Sequence, residues 1–175
     1  MITNILPPGV RRAHERDLAL LAAIEDAAGE MFAGTSAAAD MTLTTTPIDV
    51  HAAACARGSL WVAVDGDDAP LGFLLAEPVD TWLHILELDV HPDAQGRGLG
   101  AALIAAAGAA AGDFGCDRLS LTTFIDIPWN APWYRRLGFA EIAAADQPDW
   151  LRGILRREAE TGLDPANRCA MLWWL

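Results

Sequence analysis

Three glycines at alternate positions, Gly96, Gly98 and Gly100, form the segment of this sequence that is best suited to chemistry. They follow one apolar segment, Trp82–His91, and open a second, Leu99–Ala111. Glycine lets backbone N–H groups approach a ligand with no side chain in between. The first turn of a helix has unpaired N–H groups and the positive end of the helix dipole. The segment is therefore predicted to bind an anion such as a pyrophosphate.

The spacing of these glycines excludes two common nucleotide-binding motifs. A dinucleotide fingerprint requires G-x-G-x-x-G, and a phosphate-binding loop ends in Gly-Lys-Ser/Thr. Neither pattern is present between Gln95 and Gly100. Arg97 is placed to add a charge-assisted contact to an anion. A glycine-rich connection that binds no ligand is the remaining alternative, and it gives no reason for Gln95 or Arg97.

Two segments resemble the signatures of a known superfamily. Gln95-x-x-Gly98-x-Gly100 follows the residues LDVHP and resembles the acetyl-CoA signature of the GNAT acetyltransferases, Arg/Gln-x-x-Gly-x-Gly/Ala. The segment Asn130–Phe139 resembles their second signature. The resemblance implies one N-acetyltransferase domain over residues 1–175, in which a primary amine of a small molecule, peptide or protein attacks the acetyl thioester directly. A noncatalytic acyl-CoA-binding regulatory module is the alternative.

The resemblance also implies which residues contact the coenzyme. Its pyrophosphate is expected on the backbone amides of Gln95, Gly96, Arg97, Gly98, Leu99 and Gly100. Leu88 and Val90 are expected to offer backbone groups to the pantetheine arm, and the Val90 amide to polarise the acetyl carbonyl. Asn130 is a further candidate. It stands four residues before Tyr134, whereas many members place an asparagine seven residues before, where Ile127 stands here.

Acetyl transfer to an amine requires a base for the ammonium proton and a proton donor for the thiolate. The resemblance places a base six residues before Val90, at His84, whose unperturbed pKa of ~6.5 suits the task. Glu87 is the alternative base, because a carboxylate is frequent there in the superfamily, and water is the third candidate. Strict alternation predicts His84 on the Val90 face of the strand, with Glu87 and Asp89 on the other. Tyr134, the only tyrosine in the chain, matches the acid position.

Hydrophobic periodicity and turn residues predict the elements that position these groups. A strand near Val10 and two helices come first, the second helix capped by Thr46 and followed by Gly58. Two antiparallel strands, the central strand and the helix after the glycines follow. Strands and helices then alternate to the end, with an extended segment predicted from Phe139 to Ala144. An extra helix precedes the last strand. The sequence therefore predicts a single α/β domain with a mixed central sheet of about seven strands flanked by helices.

Composition narrows the choice of partners. With 24 acidic and 12 basic residues the net charge is −12, which disfavours nucleic acid and anionic membranes and favours a cationic amine acceptor. Three widely separated cysteines indicate neither disulfides nor a zinc site, so no metal is expected. No apolar segment approaches ~20 residues and the N-terminus lacks the order of a secretory signal, which predicts a cytoplasmic protein. The terminal Trp173–Trp174 pair is a candidate homodimer contact.

Overall fold

A computed structural model describes residues 9–35, 37 and 45–175, which form seven strands and five α-helices. The strands are β1 (Val10–Arg12), β2 (Leu60–Val64), β3 (Pro70–Val79), β4 (Trp82–Val90), β5 (Arg118–Phe124), β6 (Ala140–Glu141) and β7 (Arg168–Trp174). The α-helices are α1 (Leu18–Gly29), α2 (Ile48–Arg57), α3 (Leu99–Ala110), α4 (Ala131–Arg136) and α5 (Asp149–Glu160). The element order agrees with the prediction, including the extra helix α5 before the last strand.

The strands form one mixed sheet in the order β1-β2-β3-β4-β5-β7-β6. Every neighbouring pair is antiparallel except β4 and β5, which are parallel. The chain reaches β5 from β4 through α3, as expected for a parallel pair, which needs a crossover connection. The predicted fold class, a single α/β domain with a mixed seven-stranded sheet, is confirmed.

The parallel pair β4 and β5 separates after a short contact. Pairing covers three positions, from Trp82 opposite Arg118 to His84 opposite Ser120. Beyond this contact β4 continues for six residues to Val90 without β5 alongside. The divergence leaves an open edge on β4, and backbone groups along it are available to a ligand.

Helices bury apolar side chains on both faces of the sheet. On one face, Leu103 and Ile104 of α3 pack with Leu83 and Ile85 of β4. On the other face, Leu21 of α1 packs with the side chains of Phe73, Leu75 and Ala54. Alanines 106, 107 and 110 of α3 are almost fully buried, so small side chains bring this helix close to the sheet. Among the described residues, no helix is long and apolar enough to cross a membrane.

Two local predictions are wrong. Thr46 does not cap α2, which begins after Pro47 with no side-chain cap. Instead the Thr46 backbone N–H and hydroxyl donate to the Glu25 carboxylate of α1, at 2.8 and 3.2 Å. The charged acceptor competes successfully for the hydroxyl because hydrogen bonds to ionised groups are the stronger ones. The extended segment predicted from Phe139 to Ala144 is reduced to the two-residue strand β6.

Candidate active site

The glycine turn lies where predicted, between β4 and the start of α3. Gly98 is the N-cap of α3, and both Gly98 (φ 79°) and Gly96 (φ 73°) adopt the left-handed conformation. That conformation is strained for residues with a Cβ. A Cβ on either glycine would meet no atom within 4 Å, so open space lies beside the backbone. The turn therefore offers unobstructed backbone to a ligand at the N-terminus of a 12-residue helix.

Gly100 has a different structural role. A Cβ at this position would lie 3.2 Å from Cη2 and 3.4 Å from Cζ2 of the Trp133 indole. The missing side chain lets α4 approach the first turn of α3. Trp133 in turn packs against the ring of Tyr134, with ring centroids 4.9 Å apart. Gly100 thus connects the glycine turn to the residue that is predicted to donate a proton.

The side chains of Gln95 and Arg97 fold back on the loop that carries them. Gln95 Nε2 donates to the Val90 carbonyl at 3.0 Å, and Arg97 Nη2 donates to the Asp93 carbonyl at 2.7 Å. Both side chains are exposed at these contacts. In this arrangement they fix the loop between β4 and α3, and the turn presents backbone to the ligand.

The open edge of β4 presents backbone groups of Leu88 and Val90. The His91 N–H donates across to the Leu71 carbonyl at 2.8 Å, so the His91 backbone faces β3. Because backbone groups alternate between the two edges of a strand, those of Val90 and Leu88 point to the edge that β5 leaves. The Val90 carbonyl accepts a hydrogen bond from the Gln95 side chain. The arrangement is suited to an extended ligand that pairs with β4.

Two adjoining cavities lie beside the C-terminal half of β4. The turn cavity, about 430 Å³, lies against the glycine turn and is lined by Gly96, Gly98 and Trp133 among others. The carboxyl cavity, about 690 Å³, is lined by Glu87 and Glu158 among others. Five residues line both cavities: Phe32, Leu88, Asp89, Asn130 and Tyr134. A ligand in one cavity and a ligand in the other therefore meet beside these side chains.

Tyr134 is held at this junction by the start of α4. The Asn130 carbonyl accepts the backbone N–H groups of Trp133 and Tyr134, at 2.8 and 3.0 Å. The phenol is buried, and its ring contacts Phe139 at a centroid distance of 5.5 Å. Burial raises the pKa of Tyr134 well above its ordinary value, and the carboxyls of Asp89 and Glu87 raise it further. The phenol is consequently protonated at neutral pH and can act as a hydrogen-bond donor.

A β-bulge in β4 changes which side chains share a face. Leu75 is opposite Glu87, but the next residue of β3, Ala76, is opposite Ile85, so Leu86 is an extra residue. An extra residue shifts the alternation by one position. His84, Glu87 and Asp89 therefore share one face, and the prediction that His84 lies on the Val90 face is wrong. Leu83, Ile85, Leu88 and Val90 share the other face, in contact with the core beneath α3.

The carboxyls of Glu87 and Asp89 form a close pair. Burial raises the pKa of Glu87 well above its ordinary range, and the negative charges of Asp89 and Glu25 raise it further. Burial and the charge of Glu25 raise the pKa of Asp89 to about 7, although its hydrogen bond with Glu87 acts in the opposite direction. The pair therefore shares a proton near neutral pH, because two adjacent buried carboxylates cannot both ionise cheaply.

His84 lies apart from both cavities. Its side chain is 2% exposed, its Nδ1 is 2.9 Å from Ser120 Oγ, and its ring packs against Trp150 of α5 at a centroid distance of 5.3 Å. Burial lowers the pKa of His84 to about 4. The structure thus brings Glu87 into the cleft and places His84 beneath α5, among neighbours that the sequence analysis did not identify.

The far wall of the carboxyl cavity was not predicted from the sequence. Arg168 of β7 forms an ion pair with Glu158 of α5, with Nη2–Oε1 3.0 Å and Nε–Oε2 3.1 Å. The guanidinium also lies 4.6 Å from the centre of the Phe124 ring. These contacts join residues that are distant in sequence, and no motif marks them. No group of three or more His, Cys, Asp or Glu side chains suited to a metal ion occurs within the described residues.

Comparison with known proteins assigns the family. Residues 26–139 match the sequence profile of the Acetyltransferase (GNAT) family. This range covers more than half of the chain, so the chain belongs to the GNAT acetyltransferase family. The family predicted from the two signature segments is confirmed.

Solved structures of similar fold include several acetyltransferases. Rv2747 from Mycobacterium tuberculosis, in complex with CoA and NLQ, is 22% identical with a TM-score of 0.68, over 96% of this chain and 99% of that one. N-acetylglutamate synthase from Neisseria gonorrhoeae, complexed with coenzyme A and N-acetyl-glutamate, is 18% identical with a TM-score of 0.71. The match covers 95% of this chain and 34% of that one. The ribosomal-protein-S18-alanine N-acetyltransferase from Escherichia coli is 18% identical with a TM-score of 0.62, and the match covers 94% of this chain and 92% of that one. At these identities the likeness is one of fold.

Proposed function

We propose that this protein is an acetyl-CoA-dependent N-acetyltransferase in which a primary amine attacks the thioester directly. The observation that carries the proposal is the junction of the two cavities. One cavity opens on an anion-binding turn and the other on a carboxyl pair, and Tyr134 lines both. A coenzyme thioester and an amine acceptor can therefore meet beside a proton donor and a proton acceptor.

The residues of the turn cavity fit coenzyme A. Its pyrophosphate would be held by backbone amides from Gln95 to Gly100, where the left-handed glycines leave open space. Its pantetheine arm would pair with the open edge of β4 at Leu88 and Val90. The Val90 amide is then placed to donate to the acetyl carbonyl oxygen, where negative charge develops during attack. The coenzyme supplies an activated acetyl group, and Asn130 lines its path.

The acid and base roles follow from which side chains reach the junction. The protonated phenol of Tyr134 is suited to donating to the departing thiolate. The base role fits the carboxyl pair that contains Glu87, because Glu87 lines the carboxyl cavity. It fits His84 poorly, because that imidazole is buried beneath Trp150 and faces Ser120.

Charge in the carboxyl cavity favours a cationic acceptor. Arg168 is the only Lys or Arg among the described residues that line this cavity, and Glu158 already engages it. The carboxyls of Glu87 and Asp89 are therefore the acidic groups that can contact an acceptor in this cavity. The proteins of similar fold include both an N-acetylglutamate synthase and a ribosomal-protein-S18-alanine N-acetyltransferase, so fold does not choose between a small-molecule and a protein acceptor.

The test is a measurement of thiol release from acetyl-CoA with a panel of amines, alongside calorimetric binding of coenzyme A. The panel pairs cationic acceptors such as polyamines and lysine peptides with anionic ones such as glutamate. We expect turnover that requires the amine and is higher for the cationic members. Coenzyme binding without turnover on any amine would contradict the enzymatic proposal and support the noncatalytic acyl-CoA-binding module.

A further inference from the structure

Asp89 occupies a distinctive position among the acidic side chains of the cleft. Within the described part of the chain it is the only acidic residue that lines both cavities, whereas Glu87 and Glu158 line the carboxyl cavity alone. Its neighbours Leu88 and Val90 present their backbone to the open edge of β4. Under the proposed function, the Asp89 carboxyl therefore faces both the coenzyme cavity and the acceptor cavity.

The hydrogen bonding of the pair leaves one oxygen of Asp89 free. Asp89 Oδ2 is buried and has no hydrogen-bond partner among the described residues. Burial raises the pKa of both Glu87 and Asp89, so the pair keeps one proton near neutral pH and one of the two carboxyls is ionised. A buried, unpartnered carboxylate oxygen is costly unless a ligand completes it. An ammonium group in the cleft would do so.

We propose that Asp89 is the catalytic base, and that Glu87 is a positioning residue that donates a hydrogen bond to it. This inference rests on the proposed function. The Asp89 carboxylate takes one proton from the acceptor ammonium, which leaves a neutral amine. The nitrogen lone pair then forms the C–N bond while the electron pair of the C–S bond leaves with sulfur. Tyr134 protonates the thiolate, the second N–H proton restores the phenol, and the Asp89 proton passes to solvent.

The titratable groups that face the Asp89–Glu87 pair come from four elements besides β4. Glu25 of α1 raises its pKa, and Tyr134 of α4 faces the pair from across the junction. Arg168 of β7 lowers the pKa of the adjacent Glu87, and Glu158 of α5 neutralises that arginine. Burial and the charge of Glu25 raise the pKa of Asp89 to about 7, which makes its carboxylate a stronger base than that of an ordinary aspartate. The specificity constant should therefore rise with pH through this range.

The test compares Asp89→Asn, Glu87→Gln and a matched control, Asp67→Asn, in the exposed turn between β2 and β3. Each is assayed with the best amine of the panel and with a fluorinated analogue of lower basicity. Asp89→Asn should reduce kcat/KM at pH 7 by ~10² to 10⁴ and remove the rise near neutral pH. The loss should be much smaller with the fluorinated amine, which needs no deprotonation. Glu87→Gln still donates to Asp89, so it should lose less and keep the rise.

The opposite ranking would overturn the assignment: a larger loss in Glu87→Gln, with the rise retained in Asp89→Asn, would make Glu87 the base. Carbon-13 NMR titration of the wild-type carboxyls tests the proposal without a variant, since an aspartate should titrate at about 7. Absence of any aspartate titrating above about 5 would also overturn it. A wild type that acetylates no amine refutes the proposed function, whereas an active wild type matched by Asp89→Asn refutes only this base.

Discussion

The burial of His84 has a measurable consequence for stability in acid. The imidazole is 2% exposed and its pKa falls from 6.5 to about 4 in the folded protein. The unfolded chain therefore binds a proton at this position between those values, and the folded protein does not. By proton linkage, the contribution of the neutral His84 imidazole to the free energy of unfolding is fully present above pH 6.5 and is lost as the pH falls towards 4.

The size of the effect follows from the pKa difference. At pH 5 the unfolded imidazole is almost fully protonated and the folded one is mostly neutral, which corresponds to roughly 2 kcal/mol at about 1.4 kcal/mol per pH unit. For a protein of this size, roughly 2 kcal/mol changes Tm by about 4–8 °C. We expect the Tm of the wild type to fall by about 4–8 °C more between pH 7.5 and pH 5 than the Tm of His84→Gln. The amide of the variant can still hydrogen-bond to Ser120.

The assay is thermal unfolding followed by circular dichroism at both pH values. The raised pKa values of Glu87 and Asp89 act in the opposite direction, because the folded protein then binds protons that the unfolded chain does not. That contribution is common to both proteins and cancels in the difference. His91→Gln, at a side chain that is 40% exposed, is the matched control and should follow the wild type. Equal losses in wild type and His84→Gln would refute the buried neutral imidazole and restore His84 as a candidate base.

Three further predictions concern the cleft. Tyr134→Phe keeps the ring and removes the donor, so turnover should fall by ~10² or more while calorimetry shows little change in acetyl-CoA affinity; near-full turnover with rate-limiting chemistry would make the phenol a packing residue. Gly98→Ala places a Cβ in the ligand space at φ 79°, so it should weaken coenzyme binding and cost roughly 1–2 kcal/mol of stability. Gly112→Ala, without a positive φ or a crowded Cβ, is its matched control and should do neither. Raising salt should lower kcat/KM for a cationic acceptor, because the field of the exposed acidic residues in a chain of net charge −12 is screened over ~10 Å at 0.1 M, and should leave a neutral acceptor unaffected; equal salt dependence would contradict attraction of the acceptor by this charge.

The conformation of the glycine turn, which is proposed to bind the coenzyme, could be predicted from sequence because its determinants are local. Gly96 and Gly98 need left-handed backbone, and the helix that follows them is continuous in the sequence. The resemblance to a known signature is carried by residues within one loop. The same holds for Tyr134, which stands in a compact helix start. Spacing alone, however, did not reveal that Gly100 accommodates the Trp133 indole.

The carboxyl side of the cleft was harder to predict because its arrangement depends on a bulge and on distant contacts. The strict alternation of side chains between the two faces of β4 fails at Leu86, and the spacing of the apolar residues in the sequence indicates this irregularity. The core residues Ile85 and Leu88 are three positions apart, whereas the flanking core residues Leu83–Ile85 and Leu88–Val90 are two apart. An extra residue in β4 is the physical meaning of that spacing. The partners of Arg168 are indicated by no such spacing, because its contact with Thr122 joins residues 46 positions apart.

The packing of Trp133 on Gly100 also gives the protein an internal optical probe. Trp133 lines the turn cavity, so its emission responds to the polarity of whatever occupies that space. Its other neighbour is the only tyrosine in the chain, 4.9 Å away between ring centroids. An indole at this distance quenches phenol emission by energy transfer, so the fluorescence of the chain comes from its seven tryptophans. The part of this emission that is lost in Trp133→Phe can thereby follow the occupation of the turn cavity.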